Sequence, residues 1–210
     1  MDELLDTFDD TMQWTGTATR AEVHRQGLWH QTFHCWVLHR DVSGDALLLQ
    51  RRHPTKDTHP NKLDVSCAGH LSAGENASDG VRELREELGI DVDFDKLHKA
   101  GVYTYSSAVG GVKDNEFCHV FVLIQEKPSF ADYKPCVDEV SGLYLIRVSD
   151  LRTLYQSAVN QVTIQGFEMA HVGDRHDHTI TVGLNDMAKY DALYYELLFA
   201  TLDKLMGASA

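Results

Sequence analysis

Three glutamates at helical spacing are the feature of this sequence best suited to chemistry. Glu83, Glu86 and Glu87 lie in residues 82–90, RELREELGI. At about 100° per residue of a helix, their side chains span roughly 100° of arc and share one face. Crowded carboxylates repel one another, and hard divalent cations with oxygen ligands relieve that repulsion. The spacing therefore predicts a site for Mg²⁺, with Mn²⁺ as a substitute, of the kind that holds a diphosphate.

A short amphipathic helix must position these acids. Leu84 and Leu88 fall on an adjoining apolar face, and Gly89 is a typical C-terminal stop. Arg82 lies four residues before Glu86, where it can orient that carboxylate. The alternative interpretation of the segment is a solvated acidic helix face without a ligand.

Composition limits the partners. The 210 residues are 43% hydrophobic and 24% charged, which is typical of a globular protein with a real core. Lys and Arg number 19 against 32 Asp and Glu, giving a formal net charge of −13. Such an acidic surface repels a phosphate backbone and argues against a nucleic acid polymer as partner. A small phosphorylated molecule is still compatible, provided that a metal ion or a local cluster of cations meets it.

Cysteine usage and the N-terminal sequence bear on the compartment. Cys35, Cys67, Cys118 and Cys136 are far apart and form no C-x-x-C pair, as expected of reduced thiols. The opening MDELLDTFDD lacks the basic and apolar regions of a secretory signal. No apolar run approaches the roughly 18 residues needed to cross a bilayer. We therefore expect a cytoplasmic protein without membrane association.

The patterning predicts an α/β fold in which helices pack on a mixed sheet. Apolar runs with strand character are separated by turn signals, and the strands flanking Gly110-Gly111 are expected to pair as a hairpin. Helices are predicted at 149–155 and 185–206. The first 25 residues show no strong periodicity, and the His-rich stretch 171–178 is expected to be a surface loop. The predicted strands are 31–38, 46–51, 63–68, 102–106, 116–125 and 143–148.

Residues 69–90 resemble the signature of the Nudix hydrolases, G-x5-E-x7-R-E-U-x-E-E-x-G-U, in which U is apolar. One spacing departs from it, because six residues separate Glu75 from Arg82 where the signature has seven. The resemblance implies an α/β/α sandwich, to which the helix predicted from periodicity at the C-terminal end is added. It implies Mg²⁺-dependent attack of water on a diphosphate linkage as the activity. It also implies a metal site made of the Gly69 carbonyl with Glu83, Glu86 and Glu87. The matching residues are Gly69, Glu75, Arg82, Glu83, Leu84, Glu86, Glu87, Gly89 and Ile90.

The resemblance extends over most of residues 20–150 and is to the Nudix branch related to isopentenyl diphosphate isomerase. Five positions match the metal site of that isomerase, and three imidazoles with two carboxylates suit a divalent metal. The isomerase needs a cysteine directly before Gly-His, where this chain has Ala68. Cys67 lies one residue earlier, and in a strand that step turns the side chain to the opposite face. The matching positions are His24, His30, His70, Asp114 and Glu116.

Further candidates surround this site. Glu116 is expected to be a metal ligand or the general base, with a polar edge residue as the alternative and Glu139 as a weaker candidate for the base. Three cations after a predicted strand suit phosphate oxygens, unless they are ordinary solvated loop charges. Two histidines are expected either to line the substrate pocket or to form an inert wall. The cations are Arg51, Arg52 and Lys56, and the histidines are His30 and His70.

The whole chain is expected to form one Nudix-like domain, 1–210, with a core at about 28–160. Residues 1–27 would be an N-terminal extension and 161–210 a C-terminal helical extension, which packs on its own sheet or serves a homodimer. The predicted function is metal-dependent hydrolysis of a small organic diphosphate such as a nucleoside diphosphate derivative. Two alternatives remain at this stage, namely a prenyl diphosphate isomerase and a non-catalytic sensor that binds a diphosphate.

Overall fold

A computed structural model describes residues 2–42, 44–109, 112–171 and 174–207. These residues form eleven strands and four α-helices. The helices are α1 Arg20–Gln26, α2 Arg82–Leu88, α3 Val148–Tyr155 and α4 Ala192–Gly207. The strands are β1 Leu4–Phe8, β2 Trp14–Thr19, β3 Trp29–Arg40, β4 Ala46–Arg52, β5 Leu63–Asp64, β6 Cys67–His70, β7 Leu97–Val109, β8 Val112–Glu126, β9 Val140–Arg147, β10 Val162–His171 and β11 Asp174–Val182.

The strands form one mixed sheet centred on β3. Its main path runs β11-β10-β9-β4-β3-β1-β2, while β5 pairs with β4, β6 and β8 pair with β3, and β7 pairs with β8. The β3–β8 pair is parallel, and the other described pairs of strands are antiparallel. This arrangement of a mixed sheet with helices agrees with the predicted α/β class.

The two ends of β3 have different neighbours. Its first half pairs with β6, from Thr32 opposite His70 to Cys35 opposite Cys67. Its last residues pair with β4, where Leu38 lies opposite Leu47. Because successive side chains of a strand point to opposite faces, β3 feeds two separate apolar clusters. Trp36 lies in the cluster that contains Tyr194 of α4. Cys35 and Val37, its neighbours on the strand, lie in the cluster that contains the apolar residues of α2.

Helix α2 ends at a glycine and packs its apolar face on the sheet. Gly89 has φ of 72°, a left-handed conformation that glycine adopts without strain, and its N–H donates to the Arg85 and Leu84 carbonyls. Leu84 and Leu88 are fully buried in the cluster on this face of the sheet. The predicted helix, its apolar face and its end are therefore confirmed.

Three expectations differ from the structure. The N-terminal region forms β1, β2 and α1, because a hairpin of mostly polar residues gives little periodic signal. Most of the His-rich stretch belongs to β11, an edge strand whose exposed face carries polar side chains. Helix α4 begins at Ala192, seven residues later than predicted, because Leu184–Asp186 forms a separate 3₁₀ turn. The Gly110-Gly111 turn lies outside the described residues, as do Val172 and Gly173.

Among the described helices, none is long and apolar enough to cross a membrane. The C-terminal helix instead packs its apolar side chains onto the sheet of its own chain. Leu198 and Leu202 are fully buried there, and Tyr194 reaches the side chain of Trp36 in the centre of the core. Of the two alternatives for this helix, the structure therefore contains the intramolecular packing.

Candidate functional site

A cavity of about 770 Å³ lies where α1, α2 and β6 meet the segments that follow β4. Its lining is dominated by charged and hydrogen-bonding side chains. Acids of α2 line one side and cations from the loop after β4 another. The lining includes Arg20, His24, Thr32, His34, Arg52, Lys56, Ala68, Gly69, His70, Arg82, Glu83, Glu86, Glu87, Tyr105, Asp114, Glu116, Glu139 and Tyr190.

Arg82 connects the start of α2 to the loop before it. Its Nε and Nη2 donate to the two carboxylate oxygens of Glu75, both at 2.9 Å, and Nη2 also donates to the His70 carbonyl at 3.1 Å. Its Nη1 donates to Glu83 at 2.5 Å and to Glu86 at 3.1 Å. The short spacing between Glu75 and Arg82 is accommodated by a 3₁₀ turn before the helix, so this fork still reaches its carboxylate.

Glu83 lies directly against the strand that carries Gly69. A Cβ built on Gly69 would lie 2.2 Å from the Glu83 carboxyl carbon, so only glycine leaves room for the acid in this position. Burial raises the pKa of Glu83 to about 7, and the neighbouring Arg82 opposes that rise. The glycine at position 69, which matches the Nudix signature, is therefore required for steric reasons in this chain.

Glu87 is the most deeply buried of the three helix acids. Its Oε2 accepts hydrogen bonds from the Gln50 side chain at 3.1 Å and from the Ala68 backbone N–H at 3.2 Å. Burial, together with the nearby charge of Glu83, raises the pKa of Glu87 to about 8. Glu86, by contrast, is half exposed at the mouth of the cavity. A cation beside these groups would favour their charged forms.

The repulsion that suggested a metal is relieved by the protein itself in this structure. Arg82 bonds to two of the helix acids, and Oε2 of Glu87 accepts from the Gln50 side chain. In the described part of the chain, the carboxylate oxygens of the three helix acids do not all lie within 4.8 Å of one another. Crowding alone therefore does not establish the metal site predicted from the spacing, although three carboxylates facing one cavity are the oxygen donors that Mg²⁺ prefers.

A second group of potential ligands lies at and behind the cavity wall. His70 lines the cavity as predicted, whereas His30 is completely buried and does not line it, so its predicted place in the pocket requires correction. His24, His30 and His70 place one ring nitrogen each within 4.8 Å of the others. The Nε2 of His30 lies 3.7 Å from Oδ1 of Asp114 and 3.9 Å from Oε1 of Glu116. The side-chain atoms His30 Nε2, His70 Nε2 and Asp114 Oδ1 are buried without a hydrogen-bond partner. Buried polar atoms without partners are unusual, and their convergence fits a bound cation.

Glu116 belongs to this second group and faces the cavity from β8. Its Oε2 accepts from the Thr32 hydroxyl and from the Cys118 thiol, both at 3.3 Å. Burial raises the pKa of Glu116 well above its usual range, with the nearby charge of Asp114 acting in the same direction. A carboxyl group with a raised pKa beside substrate or metal is suited to accept a proton.

The three predicted phosphate ligands separate in space. Arg52 and Lys56 line the cavity, where Arg52 is held by Asp64 at 3.0 Å and Lys56 pairs with Glu139. Arg51 does not line this cavity, so its predicted grouping with the other two cations requires correction. It follows Gln50 on β4 and points to the opposite face, where it pairs with Glu168. Alternation along the strand separates the two neighbouring arginines.

Some residues that line the cavity lie outside every sequence motif. Arg20 of α1 adds a cation to the cavity and pairs with Glu3 at 3.6 Å. Tyr190, just before α4, adds an aromatic wall and donates its hydroxyl to Asp64 at 3.0 Å. An isolated arginine or tyrosine far from a motif carries no local signature, because only the tertiary fold brings it to the site.

The raised pKa values predict a pH-dependent stability for the metal-free protein. Against about 4.5 in the unfolded chain, the pKa values are about 7 for Glu83 and about 8 for Glu87. Their stabilising contribution is complete below pH 4.5 and is lost as the pH rises through these folded values. The buried histidines have lowered pKa values, so their opposite contribution still grows near pH 6.5 and is nearly complete only above about pH 7.5. Between about pH 7.5 and 8.5 we expect a net loss of about 0.5 kcal/mol.

Urea unfolding in the presence of a chelator measures this loss. Glu87→Gln is expected to flatten the dependence, because the titrating carboxyl is removed. Glu126→Gln, at an exposed pair with Arg40, provides the matched control and should leave the slope unchanged. A free energy of unfolding that stays constant or rises over this interval would contradict the assigned protonation of the helix acids.

Comparison with known proteins bears on the family of the chain. The family model of the NUDIX domain matches residues 28–163. An uncharacterized Nudix hydrolase of Clostridium acetobutylicum is 38% identical over 201 residues, covering 96% of this chain and 97% of that protein. An isopentenyl-diphosphate Delta-isomerase of Cutibacterium acnes is 34% identical over 161 residues, covering 74% and 79%.

A solved structure supports the fold. The crystal structure of the DR0079 protein from Deinococcus radiodurans superimposes with a TM-score of 0.53 at 24% identity, covering 74% of this chain and 89% of that one. The family match includes β3, β4, β6, β8 and α2, with the complete segment from Gly69 to Ile90, whereas α1 and Tyr190 of the cavity lie outside it. By this match, and by the near full-length similarity to a relative of that class, the chain belongs to the Nudix hydrolase family of pyrophosphohydrolases.

Proposed function

We propose that this protein hydrolyses the diphosphate linkage of a small organic diphosphate in a Mg²⁺-dependent reaction. The observation that carries the proposal is a single cavity that holds the acids of α2, the Arg82 fork and the cations Arg52 and Lys56. Acids on one side are ligands for a divalent cation, and cations on the other are ligands for phosphate oxygens. The substrate binds between them.

Each group has a distinct role in this reaction. Glu83, Glu86 and Glu87, with the Gly69 carbonyl, would hold Mg²⁺, which when bound neutralises phosphate charge and lowers the pKa of a coordinated water. Arg52 and Lys56 orient the diphosphate through charge-assisted hydrogen bonds. Arg82 keeps the helix acids in place. Glu116 accepts the proton of the attacking water, and Glu139 is less suited to that role because Lys56 already pairs with it.

The His24, His30, His70, Asp114 and Glu116 group would hold a second divalent cation. The three buried atoms without partners support this assignment. A nitrogen-rich donor set favours Mn²⁺ or Zn²⁺ over Mg²⁺, whereas the all-oxygen set on α2 favours Mg²⁺. Glu116 belongs to this group of potential ligands and also lines the substrate cavity, so it would contact both the second cation and the substrate.

Two features favour hydrolysis over isomerisation of a prenyl diphosphate. The position before Gly-His is Ala68, which lines the cavity and carries no ionisable group. Cys67 is fully buried in the apolar cluster against α2, where burial raises the pKa of its thiol well above the usual range. A thiol in that position has no access to a substrate in the cavity and is inert.

The cavity lining is also hydrophilic. None of the described residues that line it is Leu, Ile, Val, Met, Phe or Trp. An isoprenyl group would find apolar contacts on Tyr105 and Tyr190 but would face charged groups over the rest of these walls, where it forgoes part of the burial energy that such a group normally gains. An organic half that itself carries hydroxyl groups matches these walls better.

A metal-dependent hydrolysis screen tests the proposal. The panel contains nucleoside diphosphate derivatives, sugar nucleotides, dinucleotides and a prenyl diphosphate, each assayed with Mg²⁺, with Mn²⁺ and with chelator. We expect release of a phosphomonoester and its complementary half, without turnover in chelator. Cys67→Ala is expected to keep the wild-type rate.

The alternatives give different results in the same screen. Double-bond migration in the prenyl compound without phosphate release, together with an inactive Cys67→Ala variant, would replace hydrolysis with isomerisation. Saturable binding of a nucleotide without any product would replace it with a sensor role.

A further inference from the structure

Three buried side chains form a hydrogen-bonded chain beside the cavity. The indole Nε1 of Trp36 lies 3.1 Å from the hydroxyl of Tyr194, and that hydroxyl lies 3.0 Å from Nδ1 of His34. All three residues are almost completely buried. Tyr194 belongs to α4, which lies beyond the residues 28–163 that match the family model.

The direction of these hydrogen bonds follows from the donor inventory. An indole N–H can only donate, so the Tyr194 oxygen accepts from Trp36. The hydroxyl proton of Tyr194 then needs an acceptor, and the His34 Nδ1 is the acceptor within hydrogen-bond distance of this hydroxyl among the described residues, so we assign Nδ1 as accepting. Burial lowers the pKa of His34 to about 4, in agreement with a neutral ring. A neutral ring that accepts at Nδ1 carries its proton at Nε2.

The Nε2–H of His34 faces Glu116. His34 lines the cavity, and its Nε2 lies 4.0 Å from Oε2 of Glu116. Thr32 and Cys118 donate to this same oxygen. The other oxygen, Oε1, instead faces the Nε2 of His30 at 3.9 Å. The two oxygens of Glu116 therefore have different surroundings, one facing donors and one facing the group of potential metal ligands.

We propose that Tyr194 is a positioning residue, which fixes the tautomer of His34 so that its Nε2–H, 4.0 Å from Oε2 of Glu116, opposes binding of a cation at that oxygen and leaves Oε1 for a cation. This inference rests on the proposed function. It assigns α4 a part in the site rather than a role in packing alone. It also excludes His34 as a metal ligand, although its ring lies close to Glu116 and Cys118, because a protonated nitrogen has no lone pair for a metal.

Nitrogen-15 NMR of the metal-free protein, labelled at histidine, tests the tautomer directly. We expect the His34 signals, identified by their loss in His34→Gln, to show a protonated Nε2 and an unprotonated Nδ1. In Tyr194→Phe the Nδ1 of His34 loses its hydrogen-bond donor, and we expect a mixture of the two His34 tautomers. Tyr195→Phe is the matched control, because Tyr195 lies in the same aromatic cluster but stacks on Tyr155.

Mn²⁺ binding without substrate, followed by electron paramagnetic resonance, supplies the second readout. Loss of a residue that orients a ligand typically weakens metal affinity by 10–100-fold, so we expect about 10-fold weaker binding at the histidine group in Tyr194→Phe and no change in Tyr195→Phe. His30→Gln identifies which binding event belongs to that group.

Specific results would overturn the proposal. A wild-type His34 protonated at Nδ1 would reverse the direction of the chain, and this measurement needs no variant to fold. Equal loss of affinity in Tyr194→Phe and Tyr195→Phe would reduce Tyr194 to a packing role. Neither readout involves turnover, so failure here is separable from failure of the proposed hydrolysis, which only the substrate screen detects.

Discussion

Glu87→Gln is expected to lower the rate of Mg²⁺-dependent diphosphate hydrolysis by about 1,000-fold. A metal ion at such a site supplies several kcal/mol of transition-state charge stabilisation. Loss of about 4 kcal/mol corresponds to a factor of about 1,000 in rate. Among the helix acids Glu87 is the most buried, so solvent cannot take over its role as a negatively charged ligand.

The substitution is chosen to spare the fold. The amide of glutamine has the shape of the carboxylate, and its oxygen can still accept from the Gln50 side chain and the Ala68 N–H. Because Glu87 is buried with a pKa near 8, its replacement by a neutral group removes a desolvation cost at neutral pH. We therefore expect the metal-free variant to be at least as stable as the wild type at pH 8.

Steady-state kinetics with a substrate found by the screen, at saturating Mg²⁺, measure the effect. Glu126→Gln makes the same chemical change at an exposed position outside the cavity and should keep the full rate. If Glu87→Gln and Glu86→Gln both retained wild-type activity, the acids of α2 would not be the metal site. The histidine group would then be the remaining candidate, with His70→Gln as its test.

The predictable part of the site is the part with local signals. The α2 helix follows from the spacing of its apolar residues and from its glycine stop, both of which act within one or two turns. Leu84 and Leu88 are buried as the pattern indicates, and Gly89 has the left-handed conformation that a helix stop requires. The acids follow the same periodicity, so their common direction was also available from the sequence.

Contacts between distant segments were not predictable in this way. Arg51 and Arg52 are equivalent in the sequence, but strand alternation and the partners Glu168 and Asp64 send them to different faces. Tyr190 reaches the cavity from a segment 126 residues beyond its partner Asp64. No composition or spacing rule encodes such pairings, since they depend on which strands become neighbours in the sheet.

The electrostatic argument from the sequence was incomplete for a related reason. Repulsion among three carboxylates follows from their spacing, but its compensation depends on groups outside the helix. Arg82 contacts Glu75 from the preceding loop as well as two helix acids, and the Ala68 backbone contacts the third. The metal-free site is therefore an ordered network, and binding of a cation must exchange some of these hydrogen bonds for metal ligands.

Gly69→Ala is expected to lower Mg²⁺-dependent hydrolysis by about 100-fold while leaving the fold intact. The added Cβ would lie 2.2 Å from the carboxyl carbon and 2.2 Å from Oε1 of Glu83, so both cannot keep their positions. The obstructing atoms are the far end of a flexible side chain, which can rotate away at little cost. The displaced carboxylate then no longer faces the cation, and a misplacement of about 1 Å can cost about 100-fold in rate.

The diagnostic result is a separation of activity from stability. Thermal unfolding of metal-free Gly69→Ala should match the wild type to within a few degrees, whereas its Mg²⁺ concentration for half-maximal rate should rise. Gly207→Ala, whose added Cβ meets no atom within 4 Å, controls for the substitution itself. Full activity in Gly69→Ala would mean that the Glu83 carboxylate does not need its place beside this strand, and the metal would then have to be held by other acids of the cavity. Because the glycine acts only through the space it leaves, the variant tests the geometry of the site without changing any charged group.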